Sequence, residues 1–475
     1  MRRERALALA ALALLNVFTI TVALAVVVFT LTDDTAPVWE PSLVQAEPAP
    51  VSAGSVSEVD AGSVADRLAG PLQADALGTS VAAVVTDTAT GSELFDHNGD
   101  AQTVPASTTK IATGVAALNA VGTEFRLTTR VVQGAGPEEV VLVGGGDPTL
   151  SRSTHDDGYP QAATLDDLAT ATAAALEAAG VGAVRVRYDT SLYEGPETAP
   201  GWREGYVTEG SVAPVTALMV DGGRTDPAIM YSPRYDDPAS SAAETFAELL
   251  REAGLEVEGG VDSTTAPAGA PELAAVQSAP VASLVEDMMT SSDNNIAEAL
   301  ARQVAIALGE PASFEGGAAA MTRTLAELGV GEMRLEDASG LSRNNAISAQ
   351  TMVNTLMVAA DPERPELSYA LSGLPIGGFT GTLDQRYVEA LGGPAEGAGV
   401  VRAKTGTLSG VSTLAGLVQT DDGQLLAFAF MADDTAGYAP LALDQLAAAL
   451  AECGCSAGGP APEGGAEEET GEDPS

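Results

Sequence analysis

The first apolar segment of the chain is an uncharged run of 26 residues from Ala6 to Leu31. About 20 such residues suffice to span the hydrocarbon core of a bilayer as a helix. Arg2, Arg3 and Arg5 precede the run, and positive residues of this kind stay on the cytoplasmic side. The pattern predicts one transmembrane signal anchor over 6–31, with residues 1–5 in the cytoplasm and the remainder of the chain outside the cell membrane. Secretion after cleavage of this segment is the alternative.

Low-complexity composition marks both flanks of the folded sequence. Residues 32–62 are rich in proline, alanine and serine, which is typical of an extended extracellular linker. Residues 456–475 are dominated by glutamate, glycine and proline and are predicted to form a disordered acidic tail. The hydrophobic patterns of the folded part therefore have to be sought between these two segments.

The N-terminal half of the folded part alternates between strand and helix periodicity. Residues 80–99 predict two strands joined around Thr90 and Gly91, and residues 107–120 predict a helix. From 126 to 270, strand-like runs alternate with amphipathic helices. The alternation predicts a separate α/β domain inserted into the chain.

The C-terminal half begins helical and ends in strands. Residues 282–308 have the hydrophobic period of a helix, residues 400–432 alternate as strands, and residues 439–452 return to helix. Strands at both ends of the folded sequence with helices between them indicate one α+β domain, an antiparallel sheet with helices, interrupted by the insert. The predicted domain comprises residues 63–125 and 271–455.

Charge and composition exclude several classes of function. The chain has 66 acidic and 22 basic side chains, a formal net charge of −44, which disfavours nucleic acid and anionic membrane surfaces as partners. The two histidines, His97 and His155, lie in no recognisable catalytic or metal motif. Cys453 and Cys455 are separated by one residue, a spacing that disfavours an unstrained disulfide between them. We therefore expect no metal and no cofactor.

Two of the basic residues are lysines, Lys110 and Lys404, and the others are arginines. Arginine stays protonated in proteins, whereas a buried lysine can be tuned until it gives up a proton. Both lysines also lie within a few residues of hydroxyl side chains. This usage indicates that a titratable or compact ammonium is required at the two positions.

The first lysine lies three residues after a serine at the start of a predicted helix. This spacing sets Ser107 and Lys110 on one helix face, where the lysine can accept the serine proton. A helix start also directs backbone N–H groups and the positive end of the helix dipole at a developing oxyanion. The pair therefore predicts an activated nucleophile. Alone, the spacing equally allows a helix cap at Ser107 beside a solvated lysine.

Two further triplets complete a known set of motifs. Ser292-Asp293-Asn294 falls on a predicted helix, and Lys404-Thr405-Gly406 falls in a predicted strand. Ser-x-x-Lys, Ser-Asp-Asn and Lys-Thr-Gly, in this order, are the signature of penicillin-recognising serine enzymes. On these motifs the sequence resembles the D-alanyl-D-alanine carboxypeptidase/endopeptidase family of low-molecular-mass penicillin-binding proteins. The long separation of Ser107 from Ser292 resembles the branch with a large insert, as do the segments 142–151, 189–202, 337–348 and 374–387.

The resemblance implies a penicillin-binding/β-lactamase-like serine transpeptidase domain and a serine-type D-Ala-D-Ala carboxypeptidase, with endopeptidase activity as an extension. Ser107 would attack the carbonyl between two D-alanines, and Lys110 would be its base. Ser292 would relay a proton to the leaving amine with help from Lys404. Asn294 would hold the peptide amide of the substrate.

The remaining roles implied by the resemblance concern substrate binding. The N–H groups of Ser107 and Thr407 would form the oxyanion hole, and the hydroxyls of Thr405 and Thr407 would receive the terminal carboxylate. Gly406 would allow a close approach of substrate or backbone. Asp189 and Arg343 align with family positions that contact the free end of a diamino-acid side chain. An ordinary ion pair or loop anchor is the alternative for these two.

The expected partners are a peptidoglycan stem peptide ending in D-Ala-D-Ala, β-lactam antibiotics, and the cytoplasmic membrane through residues 6–31. Two alternatives share the fold: a β-lactamase and a catalytically idle wall-binding scaffold. Class A β-lactamases deacylate with a glutamate-activated water, and no Glu-x-x-Leu-Asn segment lies between Asn294 and Lys404. Three intact motifs argue against the idle scaffold.

Overall fold

The computed structural model describes residues 59–154, 158–435 and 438–455. The predicted cytoplasmic segment, the signal anchor and the acidic tail lie outside these residues, as does most of the linker. Within the described ranges, no helix is both long enough and apolar enough to cross a membrane. The signal anchor stays a prediction.

The described residues form thirteen strands and eleven α-helices. The strands are β1 Val81–Asp87, β2 Glu93–His97, β3 Gln102–Thr103, β4 Thr128–Gln133, β5 Glu139–Val143, β6 Ala183–Asp189, β7 Glu256–Val257, β8 Asp262–Ser263, β9 Glu272–Gln277, β10 Ile347–Ser348, β11 Val401–Leu408, β12 Val411–Gln419 and β13 Leu425–Ala432. The helices are α1 Ala61–Ala69, α2 Thr109–Val121, α3 Leu165–Ala178, α4 Gly205–Thr208, α5 Pro238–Glu252, α6 Val281–Ser291, α7 Asn294–Ala307, α8 Phe314–Glu327, α9 Ala349–Ala359, α10 Tyr369–Ser372 and α11 Ala439–Ala451.

A five-stranded antiparallel sheet joins the two ends of the folded sequence. Its order is β11-β12-β13-β1-β2, so the C-terminal strands pair directly with the N-terminal hairpin. The hairpin β1–β2 and the strands that carry residues 401–432 were predicted, and the structure confirms them. The sheet brings Lys404, at the centre of β11, into the same domain as the serine motif.

Both faces of this sheet are covered by helices, because its central strand β13 is apolar at every position. Val84 of β1 and Met431 of β13 face a core shared with α2, α6, α7 and α9. Val85 and Phe430 face a second core shared with α1 and α11. Successive side chains of a strand point to opposite faces, so a continuous apolar run requires helices on both sides. The helix that carries the serine motif is thereby fixed against one face of the sheet.

A second sheet follows α2 and has its own core. Strands are ordered β7-β6-β5-β4-β9, with β8 also paired to β6; β5 and β6 are parallel, and β4 is antiparallel to β5 and β9. Helices α3 and α5 contribute Leu168 and Phe246 to the core beneath it. Strand β9 reaches Gln277, beyond the predicted boundary at residue 270, because Glu272–Gln277 pairs with β4.

Cys453 and Cys455 lie at the end of the described sequence and are both 1% exposed in the second core. Their Cα atoms are 5.0 Å apart and their sulfur atoms are in contact. The spacing had argued against this pairing. The backbone carbonyl of Cys455 accepts a hydrogen bond from Asp60 N at 2.7 Å, which ties the two ends of the described domain together.

Candidate active site

The serine motif begins in a short 3₁₀ turn, Ala106–Thr108, and continues into α2. Ala106 has a φ of +48°, a left-handed conformation that is uncommon outside glycine and recurs at functional sites. The carbonyl of Pro105 accepts hydrogen bonds from Thr108 Oγ1 at 2.6 Å and from Thr413 Oγ1 at 2.8 Å. Strand β12 therefore holds the turn in place and leaves Ser107 half-buried at its apex.

Lys110 lies one turn below the serine and is completely buried. Its Nζ donates to Ser107 Oγ at 3.0 Å, to Asn294 Oδ1 at 2.7 Å and to the Ser339 carbonyl at 2.7 Å. An ammonium has three donors, and all three are used. The contact with Ser107 selects the catalytic interpretation over a solvated lysine beside a helix cap.

Burial lowers the pKa of Lys110 to about 8, although the nearby carboxylates Asp337, Asp293 and Glu298 counteract the shift. Desolvation disfavours the charged form of a lysine. A neutral amine that can accept the serine proton is therefore accessible near neutral pH. This is the property that a general base requires.

The Ser339 carbonyl is held in position by a buried carboxylate of α7. Glu298 accepts hydrogen bonds from Ala338 N at 3.1 Å and from Ser339 N at 2.9 Å. Burial and the neighbouring Asp337 raise the pKa of Glu298 to about 7. Asp337 in turn accepts hydrogen bonds from Gly340 N and Ser342 N at 2.9 and 2.6 Å. The loop around Ser339 is thus a rigid support for Lys110.

The Ser-Asp-Asn motif lies between two helices, where the sequence had predicted one continuous helix. Ser292 ends α6 in the left-handed region with a φ of +60°. Asp293 caps α7 by accepting a hydrogen bond from Ile296 N at 3.0 Å. Asn294, the first residue of α7, donates through Nδ2 to the Ser211 carbonyl at 2.8 Å. The break turns Ser292 and Asn294 toward Ser107.

The Lys-Thr-Gly motif lies on the edge strand β11. Lys404 is fully buried, its Nζ donates to the Thr405 carbonyl at 3.0 Å, and burial lowers its pKa well below the usual value, helped by the charge of Lys110. Thr405 Oγ1 lies 2.8 Å from Thr382 Oγ1. A β-carbon on Gly406 would lie 3.0 Å from Ser107 N. Glycine is required here because the strand passes directly behind the serine turn.

One cleft of about 520 Å³ unites the three motifs. Its lining includes Ser107, Ser292, Asn294, Thr405 and Thr407. The two lysines lie beneath the surface of the cleft, since both are completely buried. A polar cleft that places the Ser107 hydroxyl next to a buried base, with threonine hydroxyls nearby, is suited to acyl transfer from a small peptide.

Comparison with known proteins agrees with this geometry. The sequence profile of the D-Ala-D-Ala carboxypeptidase 3 (S13) family matches residues 64–233 and 228–452. A carboxypeptidase of Mycobacterium tuberculosis is 40% identical over 382 residues, which cover 78% of this chain and 80% of that protein. A D-alanyl-D-alanine carboxypeptidase of an Actinomadura species is 32% identical over 453 residues, covering 80% and 82%. The chain belongs to the D-Ala-D-Ala carboxypeptidase 3 family.

A solved structure of low sequence identity shares the fold. Penicillin-binding protein 4 of Haemophilus influenzae superposes with a TM-score of 0.66 at 23% identity, over 82% of this chain and 98% of that one. Its complex with a β-lactam gives a TM-score of 0.62. The chain therefore has the penicillin-binding fold, with mixed helices and sheets. As a member of the family it is a serine D-Ala-D-Ala carboxypeptidase, a hydrolase.

Two residues predicted to bind substrate do not line the cleft of this carboxypeptidase. Asp189, at the end of β6, is 5% exposed, and its carboxylate accepts hydrogen bonds from Ser191 N and Ala266 N, both at 2.7 Å. Arg343 is exposed and donates to the Ser409 carbonyl at 2.7 Å, at the turn between β11 and β12. Both side chains have the contacts of loop anchors, the alternative considered for them.

Sequence reasoning missed several groups that shape the site. The Ser339 carbonyl holds Lys110, and the Ser211 carbonyl holds Asn294. Every residue has a backbone carbonyl, so the type of residue does not show which carbonyl will act as an acceptor. Thr382 and Arg386 also line the cleft. They fall within segment 374–387, which had been used only to support the resemblance. Their presence in this segment was the available signal.

Proposed function

We propose that this carboxypeptidase cleaves the terminal D-Ala-D-Ala bond of peptidoglycan stem peptides with Ser107 as nucleophile and Lys110 as general base. The observation that carries the proposal is the 3.0 Å contact of Lys110 Nζ with Ser107 Oγ in a fully buried setting. The pKa of Lys110, lowered to about 8 by burial, provides the neutral amine that the step needs.

The reaction proceeds in two steps. Lys110 takes the hydroxyl proton as Ser107 Oγ bonds to the carbonyl carbon, giving a tetrahedral intermediate whose oxyanion accepts hydrogen bonds from the N–H groups of Ser107 and Thr407. The proton passes through Ser292, assisted by Lys404, to the amine of the leaving D-alanine as the C–N bond breaks. Water then cleaves the acyl-enzyme ester and restores the serine.

Substrate binding is assigned to the remaining cleft residues. The Asn294 amide, next to the nucleophile, would hold the peptide bond before the scissile one. The hydroxyls of Thr405 and Thr407 would receive the terminal carboxylate, with Gly406 keeping the strand close to the serine turn. For Asp189 and Arg343, contact with the far end of the stem peptide stays a prediction.

The same acyl-enzyme supports endopeptidase activity and acylation by β-lactams. The leaving group differs in each case, but the bond to Ser107 Oγ is the same. The related penicillin-binding protein 4 was crystallised with a β-lactam, which supports this extension. We further propose that residues 126–270 form an α/β domain inserted into the catalytic domain. The separate core of the second sheet supports this division.

Intact mass and peptide mapping after treatment with benzylpenicillin test the proposal. We expect a lasting penicilloyl adduct on Ser107 and none in a Ser107→Ala variant. An adduct elsewhere would refute the assignment of the nucleophile. Drug hydrolysed without an adduct would favour a β-lactamase, and intact drug without an adduct would favour a non-catalytic scaffold.

We propose that residues 6–31 anchor the enzyme in the cytoplasmic membrane with its catalytic domain outside. The uncharged run and the preceding arginines support this orientation. Cell fractionation combined with N-terminal sequencing distinguishes the two outcomes. A membrane-bound protein that retains its N-terminus is expected, whereas a soluble extracellular protein beginning after residue 31 would establish secretion.

A further inference from the structure

The catalytic cleft is locally basic in a chain that is strongly acidic. Arg224, Arg234 and Arg386 line it, and Asp293 is the one acidic residue among the described residues of its lining. The whole chain has three acidic side chains for every basic one, 66 against 22. The three arginines therefore need a local explanation.

The positive charge of Arg386 is neutralised by a carboxylate of the protein itself. Its Nη2 and Nε donate to the two carboxylate oxygens of Asp444 at 2.5 and 2.8 Å, a bidentate pair. Its Nη2 also donates to the Pro440 carbonyl at 3.0 Å. Such a pair leaves little charge for a ligand. Arg386 accordingly braces the wall of the cleft.

Arg234 is different because it is 7% exposed and has only backbone partners. Its Nε and Nη2 donate to the Gly210 carbonyl at 3.2 and 2.9 Å, and its Nη1 donates to the Gly222 carbonyl at 2.7 Å. In the part of the chain that the structure describes, no carboxylate lies within ion-pair distance of this guanidinium. A buried charge is normally paired with an opposite one, and among the described residues this guanidinium has no counter-ion in direct contact.

A second arginine, Arg224, places another positive charge next to Arg234. Arg224 and Arg234 face each other in an isolated antiparallel bridge, where like charges destabilise a strand pair. Their guanidiniums converge above Gly222: a β-carbon there would lie 2.5 Å from Arg224 Nη1 and 3.2 Å from Arg234 Nη1. Asp293 lies 3.5 Å from Arg224 Nη2 and offsets one of the two charges.

An arginine guanidinium is not deprotonated in proteins, and Arg234 keeps its charge despite its burial. Burial and the neighbouring Arg224 lower the pKa of Arg234 to about 10, although Asp293 counteracts the shift, and this value is still well above neutral. The pair therefore presents a net positive charge to the cleft at the pH at which the enzyme works.

The arginine pair lies beside the residue assigned to the substrate amide. Asn294 Nδ2 donates to the Ser211 carbonyl at 2.8 Å, and Arg234 donates to the carbonyl of the preceding residue, Gly210. The positive charge is thus one residue along the chain from the anchor of Asn294. Thr405 and Thr407, assigned to the terminal carboxylate, belong to β11, a separate segment of the cleft lining.

We propose that Arg224 and Arg234 form a subsite for a second carboxylate of the ligand, located on the acyl side of the bond that is cleaved. This inference rests on the proposed function, because the acyl side is defined by attack of Ser107. The ligand class is a peptide or β-lactam that carries a carboxylate close to the amide held by Asn294. An anion there would provide Arg234 with the counter-ion that the described residues do not supply in direct contact, and it would relieve the repulsion between the two arginines.

Benzylpenicillin and carbenicillin provide a matched pair of probes, since carbenicillin differs by one carboxylate on the side-chain carbon next to the amide. The measured quantity is the second-order rate constant of Ser107 acylation, expressed as the ratio of carbenicillin to benzylpenicillin. In Arg224→Gln and Arg234→Gln we expect this ratio to fall about tenfold, the effect of losing a charged hydrogen bond. Arg224→Lys should recover part of the ratio because it restores the charge.

Arg251→Gln serves as the control, since Arg251 is exposed on α5 and is not part of the cleft lining; its ratio should equal that of the wild type. Variants are compared only if their melting temperatures show that they are folded. If the Arg234→Gln variant does not fold, the Arg224 variants alone test the subsite. An unchanged ratio in folded Arg224→Gln overturns the subsite. Absence of acylation by both drugs in the wild type would instead overturn the proposed function.

Discussion

The three acceptors around Lys110, namely Ser107 Oγ, Asn294 Oδ1 and the Ser339 carbonyl, would also suit an arginine in number of donors. What arginine cannot supply is a neutral nitrogen. We therefore expect Lys110→Arg to fold and to be acylated by benzylpenicillin at least about 100-fold more slowly, the usual size of a general-base contribution. Stopped-flow or quenched mass spectrometry measures the rate.

An exchange of the same two residue types on the surface is the control for this variant. Arg251→Lys should keep the wild-type acylation rate because Arg251 is exposed and remote from the cleft lining. Near-normal acylation by a folded Lys110→Arg protein would disprove the role of Lys110 as base. The melting temperatures of both variants establish that the rates are compared between folded proteins.

The pH dependence of acylation follows from the same residue. Only the neutral form of Lys110 accepts the serine proton, and its pKa is lowered to about 8. Below that pH the neutral fraction falls about tenfold for each pH unit. The acylation rate should thus rise with pH and level off above about 8. A rate that is constant between pH 6 and 9, at constant folded fraction, would contradict this.

At the residue scale, the sequence made the two lysines conspicuous because the other basic side chains are arginines. That signal, combined with three motifs, selected Ser107, Lys110, Ser292, Asn294 and Lys404 as candidate catalytic residues. It could not reveal that Arg234 has no directly paired carboxylate among the described residues. Burial and the absence of an ion pair are properties of the packed chain and have no counterpart in residue order.

At the element scale, the contact between β11 and the serine turn sets the geometry of the nucleophile. A β-carbon on Gly406 would lie 2.8 Å from the Pro105 carbonyl and 3.0 Å from Ser107 N. In Gly406→Ala, the strand or the turn has to move by a few tenths of an ångström or more. We expect acylation to slow by about 10- to 100-fold, with a loss of about 1–3 kcal/mol in the free energy of unfolding from overpacking.

Acylation kinetics and urea denaturation measure the two effects. Gly260→Ala is the matched control, because a β-carbon on Gly260 would have no neighbour within 4 Å and the residue has no positive φ. It should change neither quantity appreciably. A folded Gly406→Ala variant with wild-type acylation would show that the close approach is not needed for catalysis.

The elements themselves were largely predictable where hydrophobic period and local signals agree. The hairpin β1–β2, helix α2 and the terminal helix α11 follow the predicted residues closely. The break at Ser292 was missed, since neither glycine nor proline interrupts the apolar period of residues 282–308. The run Ser292-Asp293-Asn294 was the available signal, because such residues favour helix N-caps, and Asp293 caps α7.

At the scale of the whole molecule, sequence order says little about which distant residues meet. Asn294 is held by Ser211, which precedes the sheet-forming residues of β7–β9, and Lys110 is held by Ser339, far along the chain. The motifs predicted that the three segments converge. The positions of the supporting carbonyls depend on how helices and loops pack around the catalytic sheet. Secondary-structure propensity and the hydrophobic period of the sequence do not determine this packing.

The contrast between an acidic chain and a basic cleft predicts an unusual response to salt. At about 10 mM ionic strength the Debye length is about 30 Å, so the field of the whole acidic protein reaches an approaching anion. At about 150 mM it is about 8 Å, and the nearby charges of Arg224 and Arg234 dominate in the cleft. Long-range repulsion by a chain of net charge −44 is then screened more than local attraction.

Acylation of Ser107 by benzylpenicillin, an anion, should accordingly accelerate by at least about twofold between 10 and 150 mM sodium chloride. Ampicillin is the matched control, because its ammonium group makes it zwitterionic and nearly insensitive to the net field. Its rate constant should change little over the same range. A decrease for benzylpenicillin would show that the cleft arginines already dominate at low salt, and an equal increase for both drugs would show that salt acts on the protein itself.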